Sequence, residues 1–291
     1  MSIGPDIKEV LQEVGTKVTI LPAAVGDTGE YVQVILNKQV TKPFIREFFV
    51  EAVLAYDTSI DAGDRLSMTD GMIYLVMNKT PVTLEDEIYQ YSSVFYKTNT
   101  IGRILRPSVS TRDARYRQGP GWTIFKTGCY ALMTEYLYGN ELEVDEEIAN
   151  LGLKREELYI SASDLISQDD RFDVSEIGTV SKNSEDGTIT AGAAIALGFS
   201  PISETWTITF DSPTSFSVSG SDVGAVDVAG VVGTALAVED FFTIPSNFFA
   251  GTWAEGDTCS FVTTAEYYWV QDVKKRRYNN VWVAMLAEDT R

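Results

Sequence analysis

Four arginines in "RPSVSTRDARYRQGPGW" (106–122) stand at a spacing that could do chemistry: Arg106, Arg112, Arg115 and Arg117. They make a basic stretch on a chain of net charge −19, and Pro107, Gly119, Pro120 and Gly121 break regular structure around them. Guanidinium groups on a long exposed loop are suited to pairing with carboxylates. Two readings stay open: docking of Arg112, Arg115 and Arg117 on an acidic neighbouring subunit, or a solvated loop. Cys129 and Cys259 are the thiols; they stand far apart with no CxxC pair, so a zinc or redox motif has no support. Sequence leaves a disulfide between them open, while a cytosolic origin favours two buried thiols. Asp145, Glu146 and Glu147 in "VDEEIANLGL" fit a helix start, where the macrodipole favours acids, better than a catalytic or metal cluster. "SEDGT" (184–188) contains a fragment of a calcium loop without EF-hand spacing, and reads as a turn.

Histidine is absent, which excludes Ser-His-Asp and Cys-His catalysis, histidine-ligated metals and histidine pH switching. No GxxxxGK[ST], strand-linked GxGxxG or GxSxG occurs. Paired carboxylates for glycoside hydrolysis are a spatial arrangement, and 42 acids supply too many candidates to single out a pair. We therefore expect no enzyme, no cofactor and no metal. The negative charge disfavours general nucleic-acid binding; it serves solubility or steering toward basic partner surfaces. No apolar run approaches the roughly 20 residues that span a bilayer. The N-terminus lacks the basic and apolar regions of a signal peptide, so we expect cytosolic synthesis and no membrane partner.

The elements that would hold these groups are mainly β. "PDIKEVLQEV" predicts a short helix, with Pro5 and Asp6 in its first turn, Gly15 as its stop, and an apolar stripe of Ile7, Val10, Leu11 and Val14. From Lys17 to about Val94 the pattern is strand-like. "KVTIL" and "EYVQVIL" alternate, and "REFFVEAVLAYDTSI" is rich in β-branched and aromatic residues, although a helix stays open there. "GDRLSMTDGMIYLVMNKTP" (63–81) reads as two strands joined by a tight turn at Thr69-Asp70-Gly71. "SSVFYKTNTIGRILRP" predicts a further strand pair through Thr98–Gly102. Many short strands with Gly/Asp/Asn turns predict a small barrel or sandwich.

Between Lys182 and Lys274 there is no Lys or Arg. "ETWTITFDSPTSFSVSGS" alternates cleanly, with Trp206, Ile208 and Phe210 on one face, then Phe216 and Val218 after a turn. "FFTIPSNFFAGTWAEGDTCSFVT" predicts two strands around Gly256-Asp257. The aromatic face fits a sandwich core better than a carbohydrate platform. "EYYWVQDVKKRRYNNVWVAML" then predicts a hairpin turning at Asn279-Asn280. The expected fold is mainly β (α+β): a barrel-like domain with short helices over 1–182 plus 266–291, carrying an inserted Ig-like β-sandwich over 183–265.

Two sets of stretches carry a resemblance. "IGPDIKEVLQEVGTKVTI", "QVTKPFIREFFVEA", "AGDRLSMTDGMIYLVMNKTP", "SVFYKTN" and "VKKRRYNNVWVAMLAEDTR" together resemble virion proteins of tailed bacteriophages, of the head–tail connector or neck kind. "ETWTITFDSPTSFSVSGS", "VGTALA" and "FFTIPSNFFAGTWAEGDTCSFVT" resemble a β-sandwich module of phage virion proteins. The resemblance implies a ring-forming, non-enzymatic component between portal and tail. Its expected partners are further copies of itself and virion neighbours: portal or adaptor, tail terminator or tube, collar or fibres. DNA would pass nearby without specific binding, and the final location would be the virion neck. An alternative is a decoration or collar protein whose inserted sandwich holds host-surface glycan or a fibre.

Overall fold

The computed structural model describes residues 3–22, 29–35, 49–108, 121–135, 155–275 and 280–288. It is mainly β, as the alternation predicts. Helix α1 (Gly4–Val14) has Pro5 and Asp6 in its first turn and stops at Gly15, whose N–H donates to the Leu11 carbonyl at 2.9 Å. Gly15 is extended, so the stop does not use a left-handed glycine cap. Of the expected stripe, Leu11 is buried whereas Val10 and Val14 are exposed.

Six strands follow: β1 (Thr16–Leu21), β2 (Glu30–Ile35), β3 (Phe49–Ala55), β4 (Arg65–Met68), β5 (Ile73–Leu84) and β6 (Glu87–Lys97). They close into an antiparallel barrel of order β1-β2-β3-β6-β5-β4. The two-residue period of each strand sends Val18, Val32, Val50, Leu54, Leu66, Val76 and Phe95 into one core. Burying each such side chain contributes roughly 1.5–3 kcal/mol. "FVEAVLA", where a helix was open, is β3, because its alternate residues Val50, Ala52 and Leu54 face that core.

The β4–β5 hairpin turns where the sequence expects it. Gly71 adopts φ +78°, and its N–H donates to the Met68 carbonyl at 3.0 Å. Asp70 closes the turn, accepting from the Met72 N–H at 2.8 Å and the Tyr74 hydroxyl at 3.1 Å. β5 does not end near Pro81; it runs on to Leu84. Proline is tolerated there because β5 keeps its outer partners only as far as Val76, through β4 and the Gly63–Asp64 backbone, so that around Pro81 it pairs with β6 alone.

The expected strand pair through Thr98–Gly102 does not form. β6 belongs to the first barrel, and the next strand, β7 (Thr100–Pro107), belongs to a second. The two intervening residues are tied to different strands. Thr98 N–H and hydroxyl both donate to the Ile73 carbonyl, at 2.9 Å each. The Asn99 carboxamide brackets Met133 instead, donating to its carbonyl and accepting from its N–H, both at 2.8 Å. Met133 lies in β8 (Trp122–Glu135), which is followed by β9 (Arg155–Ser161), a 3-10 turn (Ala162–Asp164) and β10 (Arg171–Asp173).

The chain then builds the module that contains the lysine- and arginine-free run 183–273. Its strands are β11 (Glu176–Ile177), β12 (Ser181–Lys182), β13 (Gly187–Ile189), β14 (Ala196–Leu197), β15 (Glu204–Ser212) and β16 (Ser215–Gly220). They continue with β17 (Gly224–Val231), β18 (Leu236–Val238), β19 (Phe242–Ile244), β20 (Phe249–Gly251) and β21 (Thr258–Thr264). One sheet has the order β11-β21-β15-β16-β17, with β12 also on β21; β13 pairs with β20, and β14-β19-β18 form a third sheet. Trp206, Ile208, Phe210, Phe216 and Val218 all point into the core with Phe242, Phe248 and Trp253, as the alternation predicts. The two strands expected around Gly256-Asp257 do not pair with each other: β20 pairs with β13 and β21 with β15.

β22 (Tyr267–Lys274) and β23 (Val281–Glu288) form the last antiparallel hairpin, with Asn280 at φ +56°. They complete a second closed barrel of order β10-β22-β23-β9-β8-β7. The sequence predicts one barrel; two form. By internal packing the chain divides into two compact units. One is Met1–Ile104, Lys126–Asp170 and Tyr268–Glu288; the other is Leu105–Phe125, Arg171–Tyr267 and Asp289–Arg291.

Candidate functional site

Arg112, Arg115 and Arg117 lie outside the described residues, as do Asp145, Glu146 and Glu147. The flanks of the arginine stretch are described. β7 and β8 hold them together through the Ser108 N–H, which donates to the Gly121 carbonyl at 2.6 Å, and the Thr123 hydroxyl, which donates to the Arg106 carbonyl at 3.2 Å. The Arg106 guanidinium stacks over the Phe125 ring at 3.7 Å. Chain order thus makes the arginine stretch the connection of the β7–β8 hairpin.

Both thiols are buried and unbonded. Burial, reinforced by the nearby Asp164 charge, pushes Cys129 up to about 12; Arg65 and Lys126 act the other way. Burial likewise pushes Cys259 up to about 11. Neither has the thiolate character that nucleophilic or redox chemistry requires.

Beside Cys129 lies an ionic cluster that the sequence reading did not find. Asp164 has no exposed surface. One of its oxygens receives the Arg65 guanidinium of β4, and the other faces the Lys126 ammonium of β8 at 2.6 Å. Lys126 also donates to the Ser163 carbonyl at 2.8 Å. The cluster joins the first barrel to the turn after β9. Gly63, at φ +93°, lets the chain pass beside it, since a Cβ there would lie 2.4 Å from the Asn280 carbonyl oxygen. An apolar layer of Leu75, Met77 and Val281, with Tyr96 edge-on to Tyr159, completes the junction. These charges tie β4 and β8 to the turn after β9.

In the module the "SEDGT" turn carries its own cation. The Lys182 ammonium donates to the Ser184 carbonyl at 2.9 Å and the Gly187 carbonyl at 2.5 Å. The Ala254 N–H donates to Asp257 at 2.9 Å, and the Ser184 hydroxyl donates to the same carboxylate at 2.6 Å; together they hold Asp257 below the usual range. An ammonium thus takes up two carbonyls of this turn. Among the described residues no group of three or more acids or cysteines could hold a metal.

Glu204 is a second structural acid. It accepts from the N–H groups of Thr205, Ser221, Asp222 and Val223 at 2.7–3.0 Å, and from the Ser221 hydroxyl. The hydroxyl bond and then the backbone donors bring its carboxyl down to about 2. The aromatic residues weighed as a carbohydrate platform are interior: Trp206 and Trp253 are at most 2% exposed, with Trp253 stacked on Phe210 at 4.3 Å. Arg171 is buried between the Trp122 and Tyr267 rings, at 4.4 and 4.6 Å.

The unpartnered features lie on the surface. Past Val82 in β5, and before Gln90 in β6, the barrel narrows to a two-stranded arm. It ends at Glu85-Asp86, with Leu84 and Ile88 exposed. The continued alternation of "VTLEDEIYQY" after Pro81 was the available sequence signal for this arm. No known protein family, curated protein or solved structure matches the chain.

Proposed function

We propose that this chain is a structural, non-enzymatic building block of a tailed-bacteriophage virion: a ring-forming neck component that joins the portal side of the capsid to the tail. One observation carries the reading. Among the described residues the strands close two barrels, both thiols are buried, and the buried charge of Asp164 is taken up by Arg65 and Lys126. The resemblance of the N-terminal stretches, together with the last one, to head–tail connector proteins supports it. So does the acidity, since negative walls repel a passing duplex instead of binding it. Closed rings use heterologous contacts, and the β7–β8 hairpin offers its connection, with Arg112, Arg115 and Arg117, to an acidic face of the next copy.

The test is charge reversal: Arg112→Glu, Arg115→Glu and Arg117→Glu together should abolish ring formation, read as particle mass and by electron microscopy of particles. Unchanged assembly removes the arginines from the proposal, and a particle in which the chain occupies no ring removes the proposal itself.

A further inference from the structure

We propose that the β5–β6 arm is a subunit contact, seating its acidic tip on the Lys274–Lys275 end of the β22–β23 hairpin in the next copy of this chain; the inference rests on the ring-forming reading above. The arm's own geometry is the first argument. β3 pairs with β6 as far as Gln90, and beyond that β5 and β6 continue with only each other, through Leu84↔Glu87. A two-stranded ribbon is marginal in water, and this one exposes Leu84 and Ile88.

The turn is the second argument. Glu85 and Asp86 adopt φ +50° and +65°. Asn-Gly is the residue pair that such a turn favours, and a left-handed L-residue costs about 1–2 kcal/mol. Glu85 therefore stands, against local preference, at the outermost point of the arm, with Asp86 and Glu87 beside it. A local rule broken at an exposed tip points to use of the tip. Pro81 on the β5 edge blunts strand addition, so the contact is made by the end of the arm and not by its edge.

The occupant follows from charge. Lys274 and Lys275 are exposed at the end of β22 in a chain that has no other Lys or Arg from 183 to 273. Lys275 lies 4.4 Å over the Trp282 ring, which holds that ammonium in place. One chain thus carries an acidic projection and a basic hairpin end. Different surfaces that complement each other make a head-to-tail contact, which repeats until it closes. A second copy is the partner that supplies both.

The experiment is a charge swap in the full chain, with oligomer mass followed across concentration by sedimentation or light scattering. Glu85→Lys with Glu87→Lys, and separately Lys274→Glu with Lys275→Glu, should each raise the concentration needed for association by about tenfold or more. Combining all four should bring it back to within about threefold of the parent. Thermal midpoints unchanged in each variant establish that the fold is intact. Weakening without recovery in the combined variant overturns the pairing of these two ends. Association indifferent to every swap overturns the arm contact while leaving the ring reading in place. A parent chain that is monomeric at every concentration overturns both.

Discussion

The Asp164 carboxylate, with no exposed surface, receives the guanidinium of Arg65, 99 residues earlier in the chain. Removing one partner of such a buried pair strands the other charge, which costs about 3–5 kcal/mol. Asp164→Ala should therefore destabilise the chain by that amount in urea unfolding. Arg65→Met should cost less, because Lys126 still faces Asp164 at 2.6 Å. The double variant Arg65→Met with Asp164→Leu should be more stable than Asp164→Ala alone, since an apolar pair leaves no orphaned charge.

Glu204 gives the module an acid sensitivity. Its hydrogen-bonded carboxyl titrates near 2 against an ordinary 4.5, so the folded state holds the proton less tightly than the unfolded chain. Its contribution to stability is complete above about pH 4.5 and is lost as pH falls toward 2. Glu204→Gln should lower stability at pH 7 and flatten the acid limb of a stability–pH profile between those values. An acid limb as steep in the variant as in the parent would assign that sensitivity to other groups.

Thiol labelling should separate the folded from the unfolded chain completely. With Cys129 raised to about 12 and Cys259 to about 11, neither forms appreciable thiolate at pH 8, and both are buried. A thiol-reactive dye should modify neither cysteine in the native chain within minutes and both in denaturant.

The module should be indifferent to chelation. The Lys182 ammonium already satisfies the Ser184 and Gly187 carbonyls, so the melting temperature should be the same with EDTA and with millimolar calcium. Lys182→Met should cost about 1 kcal/mol or more by leaving those acceptors without their charged donor. Protection of the parent chain by calcium would contradict this.

The strands were legible wherever a local period was enough to specify them. Val18, Val50 and Leu66 of the first barrel, and Trp206, Ile208 and Phe210 of the module, announce their inward faces by alternation alone. The second barrel was not legible as a barrel, because its strands come from three separated stretches and its closure depends on pairing β9 with β23. The break between β6 and β7 is likewise invisible in a continuous run of strand-forming residues; only the divergent bonds of Thr98 and Asn99 reveal it. The Arg65–Asp164 fastener is a meeting of residues far apart in sequence, which no local motif encodes. The arm tip was missed because Pro81 reads as a strand end, although an edge strand tolerates proline.

The placement of β11–β21 between β10 and β22 has a consequence for synthesis. The first barrel uses residues 16–97 and can close as soon as β6 has left the ribosome. The second waits for β22 and β23, roughly ninety residues after β10, a delay of several seconds at about 5–20 residues per second. During that interval β9 and β10 lack neighbours that only the far side of the module provides. Chains truncated within the module would carry a finished first barrel and an open second one. Closure of the second barrel therefore requires that the whole module has already been made.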